Sequence, residues 1–249
     1  MNFIGPKAYI HIDHLNYNLQ HIRNYIGNRS IMCVVKANGY GHGAIEISKI
    51  LDSNSDIILA VFSFEEALEL RKAGIENEIF TFSKLQEEYL QLADELRITL
   101  NACTFSNIKI LSKYKQQNHS IPKFHLKFDT GMTRLGFDND EADQVFKYIK
   151  DHNLFPEGIY SHFATADEGD LTYADYQLMK FESLLNKSTD YGIEYKYVHC
   201  SNSGAVLNLP DAYFNLIRIG MLLYGVAPSD EVSMKIKVKP VMSFCGPIV

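Results

Sequence analysis

Short apolar runs alternate with amphipathic stretches along most of this chain. The runs at residues 31–35 and 57–62 are too short for buried helices and rich in β-branched side chains, which predicts buried strands. The stretches between such runs repeat apolar residues at helical spacing, and one opens with the capping-box pair Ser63 and Glu66. Eight strands are predicted in this way, at residues 31–35, 57–62, 79–82, 97–100, 123–128, 158–161, 195–199 and 213–217.

Helices are predicted between these strands. Asp13 is expected to cap a first helix, in which apolar residues recur every three or four positions from Leu15 to Ile26. Later helices are expected near residues 84–93, 106–114, 141–150, 173–185 and 204–207. Eight strand–helix units of this length predict an α/β fold, a parallel (β/α)8 TIM barrel, with a doubly wound sheet as the alternative.

The two ends of the chain belong to none of the eight predicted strand–helix units. Residues 8–13 alternate weakly, and residues 232–249 are also strand-like and stop on an apolar segment, an unusual place for a natural terminus. We therefore expect three parts: a strand of an incomplete β-domain at 1–13, the barrel at 14–230, and the start of a truncated C-terminal β-domain at 231–249. Without partners, these end strands would leave unpaired edges open to aggregation.

Composition narrows the class of protein. The 249 residues are 46% hydrophobic and carry a net charge of −6, which argues against a nucleic-acid surface. No apolar run is long enough to span a bilayer, and no export signal is visible, so neither a membrane nor a nucleic acid is an expected partner. The four cysteines form no Cys-x-x-Cys pair and the nine histidines show no ligand spacing. We expect a cytoplasmic protein with no metal.

Lys36 is the most informative single residue. It follows the first predicted strand and precedes a loop with Gly39, Gly41 and Gly43. The carboxyl ends of barrel strands are where such folds place their chemistry. Burial of an ammonium there lowers its pKa and provides the neutral amine that Schiff-base chemistry needs. The simpler alternative is a solvated surface lysine.

Other chemically useful side chains follow later predicted strands. In a barrel, they would lie with Lys36 at the carboxyl end of the strands. These residues are Lys127, Arg134, His162, Asn202, Ser203, Arg218, Gly220 and Met221. The loops after the last two strands of such barrels commonly bind phosphate, to which Ser203 and Tyr40 can offer hydroxyls and Gly220 a close backbone approach. Simpler alternatives stay open: a helix cap for Ser203, a turn for Gly220, and ion pairs for Lys127 and Arg218.

Five segments, at residues 34–43, 127–136, 161–167, 199–205 and 218–225, resemble the alanine racemases, which are fold-type III pyridoxal-phosphate enzymes. The resemblance implies pyridoxal 5′-phosphate as cofactor, held as an aldimine on Lys36. It implies that Tyr40, Ser203, Gly220 and Met221 bind the cofactor phosphate, and that Asn202 belongs to the same binding site. Lys36, Arg134 and His162 are the implied catalytic residues.

Further roles follow from the same resemblance. Arg218 would face the pyridine nitrogen and keep it unprotonated, and His162 would lie against the ring. Arg134 would reach the cofactor's phenolic oxygen and the substrate carboxylate. Lys127 is a candidate for carbamylation, which would turn a cation into an anion that orients Arg134.

The implied reaction is the interconversion of L-alanine and D-alanine by two bases, which would supply D-alanine for the cell wall. Lys36 is one base. The other, in alanine racemases, is a tyrosine from the C-terminal β-domain of the second subunit in a head-to-tail homodimer, and no position here matches it. The sequence therefore predicts the barrel portion of a longer racemase. Two alternatives stay open: a pyridoxal-phosphate carrier without racemase activity and a fold-type III amino-acid decarboxylase.

Overall fold

Eight parallel strands form the body of the protein. The computed structural model describes residues 5–247. The barrel strands are β2 (Ser30–Val34), β3 (Ile57–Val61), β4 (Ile79–Lys84), β5 (Ile98–Ala102), β6 (Phe124–Lys127), β7 (Gly158–Tyr160), β8 (Tyr197–His199) and β9 (Leu216–Ile219); β1 (Lys7–Ile10) and β10 (Met242–Cys245) lie outside the barrel.

Helices fill the connections between the strands. They are α1 (Ile12–Ile26), the short turn α2 (Lys36–Tyr40), α3 (Ala44–Leu51), α4 (Phe64–Lys72), α5 (Leu90–Glu95), α6 (Phe105–Asn118), α7 (Ala142–Asp151), α8 (Thr172–Asp190) and α9 (Ser203–Asn208). Three short 3₁₀ turns also occur, at Glu87–Tyr89, Asn139–Glu141 and Pro210–Ala212.

The strands pair in chain order from β2 to β8, and β9 returns to pair with β2, with Ile31 opposite Ile217. This closure confirms the (β/α)8 barrel and excludes a doubly wound sheet. A seam remains between β8 and β9, where no strand ladder forms. There the Arg218 N–H donates to the Ser201 carbonyl at 3.2 Å. The barrel is therefore nearly closed.

Alternate residues of each strand face opposite sides, as the period of a β-strand requires. Phe124 and Leu126 of β6 pack in the apolar layer under the helices. Met32, Phe80, Tyr160 and four further residues form a separate apolar cluster inside the barrel. Buried polar side chains share the barrel interior with it, including His125, Lys127, His199 and Arg218. The sequence therefore places cations and imidazoles on strands, facing inward.

Several predicted boundaries differ from the structure, and three of them concern residues used below. Strand β9 begins at Leu216 rather than at residue 213, because Phe214 has φ of 45° and cannot extend a strand. Arg218 therefore lies within the strand instead of after it. The helix predicted at 84–93 begins later, because Lys84 ends β4 and Gln86 is extended (φ −120°, ψ 139°). Helix α1 begins at Ile12, so Asp13 lies in its first turn rather than at its cap.

The two ends of the chain pair with each other. Strands β1 and β10 form a two-stranded antiparallel ladder, with Lys7 opposite Cys245. Each therefore has one paired edge, which corrects the expectation that both would lack partners. Residues 1–4 and 248–249, which belong to the predicted end segments, lie outside the described residues. The domain boundaries at 13 and 231 stay predictions.

Within residues 5–247, none of the helices combines the length and the apolar character needed to cross a membrane. The same part of the chain contains no cluster of three or more histidine, cysteine or acidic side chains that could bind a metal ion. Cys33, Cys103 and Cys200 are buried free thiols, and Cys245 is an exposed one.

Candidate active site

The chain takes a left-handed turn immediately after β2. Ala37, Asn38, Gly39 and Tyr40 have φ values of 51°, 54°, 62° and 53°. For residues other than glycine this conformation costs roughly 1–2 kcal/mol each. Such a turn persists only where its surroundings hold it. Lys36 precedes it and Tyr40 ends it, so the turn determines the position of both side chains.

A cavity of about 280 Å³ lies at the carboxyl ends of the strands. All ten residues singled out from the sequence line it: Lys36, Tyr40, Lys127, Arg134, His162, Asn202, Ser203, Arg218, Gly220 and Met221. The structure thus brings together side chains that follow or end five different strands. Other lining residues did not stand out from the sequence, including Phe62, Phe82, Tyr160 and Asp167.

Lys36 is half-buried in this cavity. Burial is the main reason why its pKa lies below the ordinary lysine value, and the nearby charge of Arg134 adds to the effect. The carboxylate of Glu66 acts in the opposite direction. A lowered pKa leaves more of the amine in its neutral, nucleophilic form near neutral pH.

Ser203, Gly220 and Tyr40 form a small polar recess at one end of the cavity. The Ser203 hydroxyl oxygen accepts from the N–H groups of Gly220 (3.2 Å) and Leu222 (3.4 Å). Its own proton therefore remains available to a ligand. A Cβ atom added at Gly220 would lie 2.8 Å from the Tyr40 hydroxyl, so a side chain there would fill the recess. The helix cap of α9 is Asn202, whose side chain accepts from Ala205 N–H at 3.0 Å, and not Ser203.

Arg218 is buried, 2% exposed, and it donates to neutral acceptors only. Its Nη1 group contacts His199 Nδ1 at 2.7 Å, and its Nη2 group lies 2.9 Å from His162 Nδ1 and from the carbonyls of Ser161 and Cys200. Burial lowers the pKa of Arg218 to about 10, and no carboxylate is among the groups that act on it in the described part of the chain. The four contacts use the two Nη groups, and the Nε–H has no hydrogen-bond partner among residues 5–247.

These contacts also fix the protons on three histidines. A guanidinium only donates, so His162 Nδ1 and His199 Nδ1 are acceptors, and each ring carries its proton on Nε2. His199 Nε2 then donates to His125 Nδ1 at 2.9 Å. Burial lowers the pKa of all three histidines, that of His125 to about 3. The imidazoles are therefore neutral and leave the charge of Arg218 uncompensated.

Lys127 faces the same interior. Its Nζ lies 4.9 Å from the centroid of the Tyr160 ring. Burial, with the charges of Arg218 and Arg134, lowers the pKa of Lys127 to about 7. Asp129, whose charge raises the Lys127 pKa, accepts from the backbone N–H groups of Gly131 (2.8 Å) and Arg134 (3.1 Å), which shapes the loop that carries Arg134.

Sequence reasoning missed the interior residues that support these groups. Tyr160 is 1% exposed, and its hydroxyl has no hydrogen-bond partner among residues 5–247. His125 was seen only as a member of a strand, and His199 only as the last residue of a predicted strand and the first residue of segment 199–205. The signal was the alternation in β6, where His125 and Lys127 are two residues apart and so share the inward face.

Comparison with known proteins agrees with this geometry. The family model for the N-terminal domain of alanine racemase matches residues 10–228. The chain belongs to the alanine racemase family. It is 38% identical over 245 residues to the alanine racemase of Clostridium tetani, covering 97% of this chain and 63% of that protein. It is 41% identical over 208 residues to that of Halalkalibacterium halodurans, covering 82% of this chain and 53% of the relative.

Solved structures give the same result. The alanine racemase of Clostridium difficile 630 superposes with a TM-score of 0.91 at 30% identity, covering 98% of this chain and 65% of that one. The alanine racemase of Bacillus anthracis with bound L-Ala-P gives a TM-score of 0.87 at 31% identity, covering 98% of this chain and 64% of that one. The chain thus spans somewhat less than two thirds of the length of these alanine racemases.

Proteins of the alanine racemase family depend on pyridoxal 5′-phosphate. The cavity suits that cofactor in three respects. It offers a half-buried amine, a recess with the Ser203 and Tyr40 hydroxyls beside Gly220, and a free Arg218 Nε–H between buried neutral partners. An amine, a phosphate and a pyridine nitrogen are the groups that these three features would recognise.

Proposed function

We propose that this chain is the cofactor-binding barrel of a racemase that interconverts L-alanine and D-alanine. One observation carries the proposal: the ten residues chosen from separate sequence motifs line a single cavity at the carboxyl end of the barrel. Family membership supports the reaction class. Alanine, a small amino acid, is the proposed substrate.

Each end of the cofactor has a candidate partner. Lys36 would hold its aldehyde carbon covalently. Tyr40, Ser203, Gly220 and Met221 would bind its phosphate end, and Asn202 would belong to the same binding site. When bound, the cofactor withdraws electrons from the Cα atom of the attached amino acid, so that the Cα proton becomes removable.

Arg218 would donate its Nε–H to the ring nitrogen. Because a guanidinium does not give up its proton, that nitrogen would stay unprotonated, and the ring would be a weak electron acceptor. A weak acceptor suits removal and return of one proton. The neutral His162 ring, held by Arg218 at 2.9 Å, would pack against the cofactor ring.

The remaining catalytic roles fall to Lys36 and Arg134. Lys36, once displaced by the substrate amine, would take or return the Cα proton on one face, and its lowered pKa suits that exchange. Arg134 is exposed at the cavity mouth, where its guanidinium would bind the substrate carboxylate.

We further propose that Lys127 is carbamylated. A lysine whose pKa lies at about 7 is about half neutral at that pH. Its nitrogen can form a bond to the carbon of CO2 and release one proton, which gives an anionic carbamate. Arg218 and Arg134 would stabilise that anion, and the unpartnered Tyr160 hydroxyl could donate to it. ¹³C NMR with labelled bicarbonate would detect the carbamate carbon, and Lys127→Met should abolish the signal.

The racemase that contains this barrel is proposed to work as a head-to-tail homodimer in the cytoplasm. The second base of the reaction, a tyrosine in the resembling enzymes, would come from its partner subunit. Light scattering of a C-terminally extended protein would test the dimer.

The main experiment treats the 249-residue chain with pyridoxal phosphate, reduces it with borohydride, and maps the labelled peptide. The label is expected on Lys36 and should disappear in Lys36→Ala. Chiral analysis of D- and L-alanine incubated with the extended protein then tests racemisation. A label at Lys36 without racemisation would favour a cofactor carrier, and release of CO2 from an amino acid would favour a decarboxylase.

A further inference from the structure

The carboxylate of Glu66 is hydrogen-bonded to two separate loops. One oxygen, Oε1, accepts from the Ala37 N–H at 2.6 Å. The other, Oε2, accepts from the N–H groups of Phe62 (2.7 Å) and Ser63 (3.1 Å). Ser63 Oγ in turn accepts from the Glu66 N–H at 3.3 Å, which completes the capping box of α4. Capping thus uses one carboxylate oxygen and leaves the other for the neighbouring loop.

The group that Oε1 binds is the first residue of the left-handed turn. Ala37 has φ of 51° and directly follows Lys36. An alanine has no intrinsic reason to adopt this conformation. Helix α4 is anchored between strands β3 and β4 by its buried residues Phe64, Ala67 and Leu70. A charge-assisted hydrogen bond from this fixed helix therefore stabilises the strained turn.

We propose that Glu66 is a positioning residue, which holds the turn after β2 and so fixes where Lys36 and Tyr40 stand in the cavity. The inference deepens the proposed function and rests on it for the roles of these two side chains. Glu66 also has an electrostatic effect, since its charge partly offsets the influence of Arg134 on Lys36.

A matched pair of variants separates this role from plain helix capping. Glutamine also completes capping boxes. In Glu66→Gln the amide oxygen is expected to stay with the two donors Phe62 and Ser63. The NH2 group would then face the Ala37 N–H, donor against donor. Ser63→Ala removes the serine half of the capping box and leaves the contact between Glu66 and Ala37 intact.

The test uses the 249-residue chain and two measurements. NMR hydrogen exchange reports protection of the Ala37 amide, and a titration with pyridoxal phosphate, trapped by borohydride, reports affinity at Lys36. Glu66→Gln should lose protection at Ala37 and bind the cofactor at least about tenfold more weakly, as loss of one charge-assisted bond allows. In Ser63→Ala, the protection of the Ala37 amide and the affinity for the cofactor should both stay within about twofold of the wild-type values.

A rescue variant tests the cause. Glycine adopts positive φ without strain, so adding Ala37→Gly to Glu66→Gln should restore most of the lost affinity. The proposal is overturned if Glu66→Gln behaves as wild type, if Ser63→Ala is weakened equally, or if the glycine restores nothing. Absence of any label on Lys36 in the wild type would instead contradict the proposed function, and the Ala37 exchange would still decide whether Glu66 holds the turn.

Discussion

At the scale of single residues, the cavity gathers four cations, Lys36, Lys127, Arg134 and Arg218, and gives them few carboxylate partners. Asp129 is occupied by backbone N–H groups, and the buried partners of Arg218 are imidazoles and carbonyls. Uncompensated buried charge is costly. Its presence here points to anionic groups that the site is built to receive, such as a phosphate, a carboxylate or a carbamate.

Lys127 should make the stability of the protein depend on pH. Its pKa is about 7 in the folded chain and near 10.5 when unfolded. Between these values the unfolded state binds more protons, so stability should rise with pH, by up to about 5 kcal/mol across the window. Urea unfolding in carbonate-free buffer would measure the slope.

Two comparisons check the origin of that slope. Lys127→Met removes the titrating amine and should flatten the dependence between pH 7 and 10.5. If the wild-type amine is carbamylated, bicarbonate should raise the stability and keep this slope, because the folded carbamate still holds one proton fewer than the unfolded ammonium. A slope that persists in Lys127→Met would assign the titration to another group.

The sequence revealed a cavity residue where that residue lies at the end of a predicted strand, within a distinctive motif. Lys36 and Ser203 are of this kind, and the cavity brings both together. Tyr160 was not readable, because an aromatic residue inside a short strand looks the same whether it faces the helices or the barrel interior. Only the register of the sheet separates the two faces.

At the scale of elements, the alternation of strands and helices was predictable, whereas the left-handed turn was not. Three glycines suggested a loop, but two of the residues with positive φ are Ala37 and Tyr40, which disfavour it. The turn exists because α4, a later element, supplies Glu66. Such tertiary support is invisible in local sequence. The late start of β9 follows from the positive φ of Phe214, which the sequence also did not reveal.

Gly225 should control how the C-terminal segment docks on the barrel. It has φ of 78°, and a Cβ there would lie 1.9 Å from the Lys239 carbonyl oxygen. Gly74 is a matched control, with φ of 86° and nothing within 4 Å. Backbone strain alone should cost Gly74→Ala about 1 kcal/mol, and the added clash should cost Gly225→Ala about 2 kcal/mol more. Urea denaturation would measure both.

Gly225→Ala should also loosen the β1–β10 ladder. Val241, which precedes β10, forms backbone hydrogen bonds to Tyr224 at 3.0 Å and to His11 at 2.7 Å. Faster amide exchange in residues 242–245 would report this. Equal stability losses in the two glycine variants would mean that the segment from Lys239 adjusts without strain.

At the scale of the whole molecule, the barrel contains the proposed cofactor cavity but only part of the expected proton chemistry. The chain spans somewhat less than two thirds of its relatives' length. Lys36 is the proposed base for one face of the substrate. The resemblance to alanine racemases assigns the other face to a tyrosine that no position here matches. Cofactor binding and racemisation should therefore be separable in this chain.

Exchange of the alanine Cα proton in deuterated water tests whether proton removal and inversion are separable in this chain. With pyridoxal phosphate, the 249-residue chain should exchange the Cα proton of one enantiomer with retention of configuration. Inversion should be slower by about 10²–10⁴-fold, the usual contribution of a positioned acid–base group. Proton NMR of separate D- and L-alanine samples gives the exchange rate, and chiral chromatography gives inversion. Lys36→Ala should abolish both. Inversion as fast as exchange would reveal a second base within this chain, and Lys127→Met would then test the second lysine that lines the cavity.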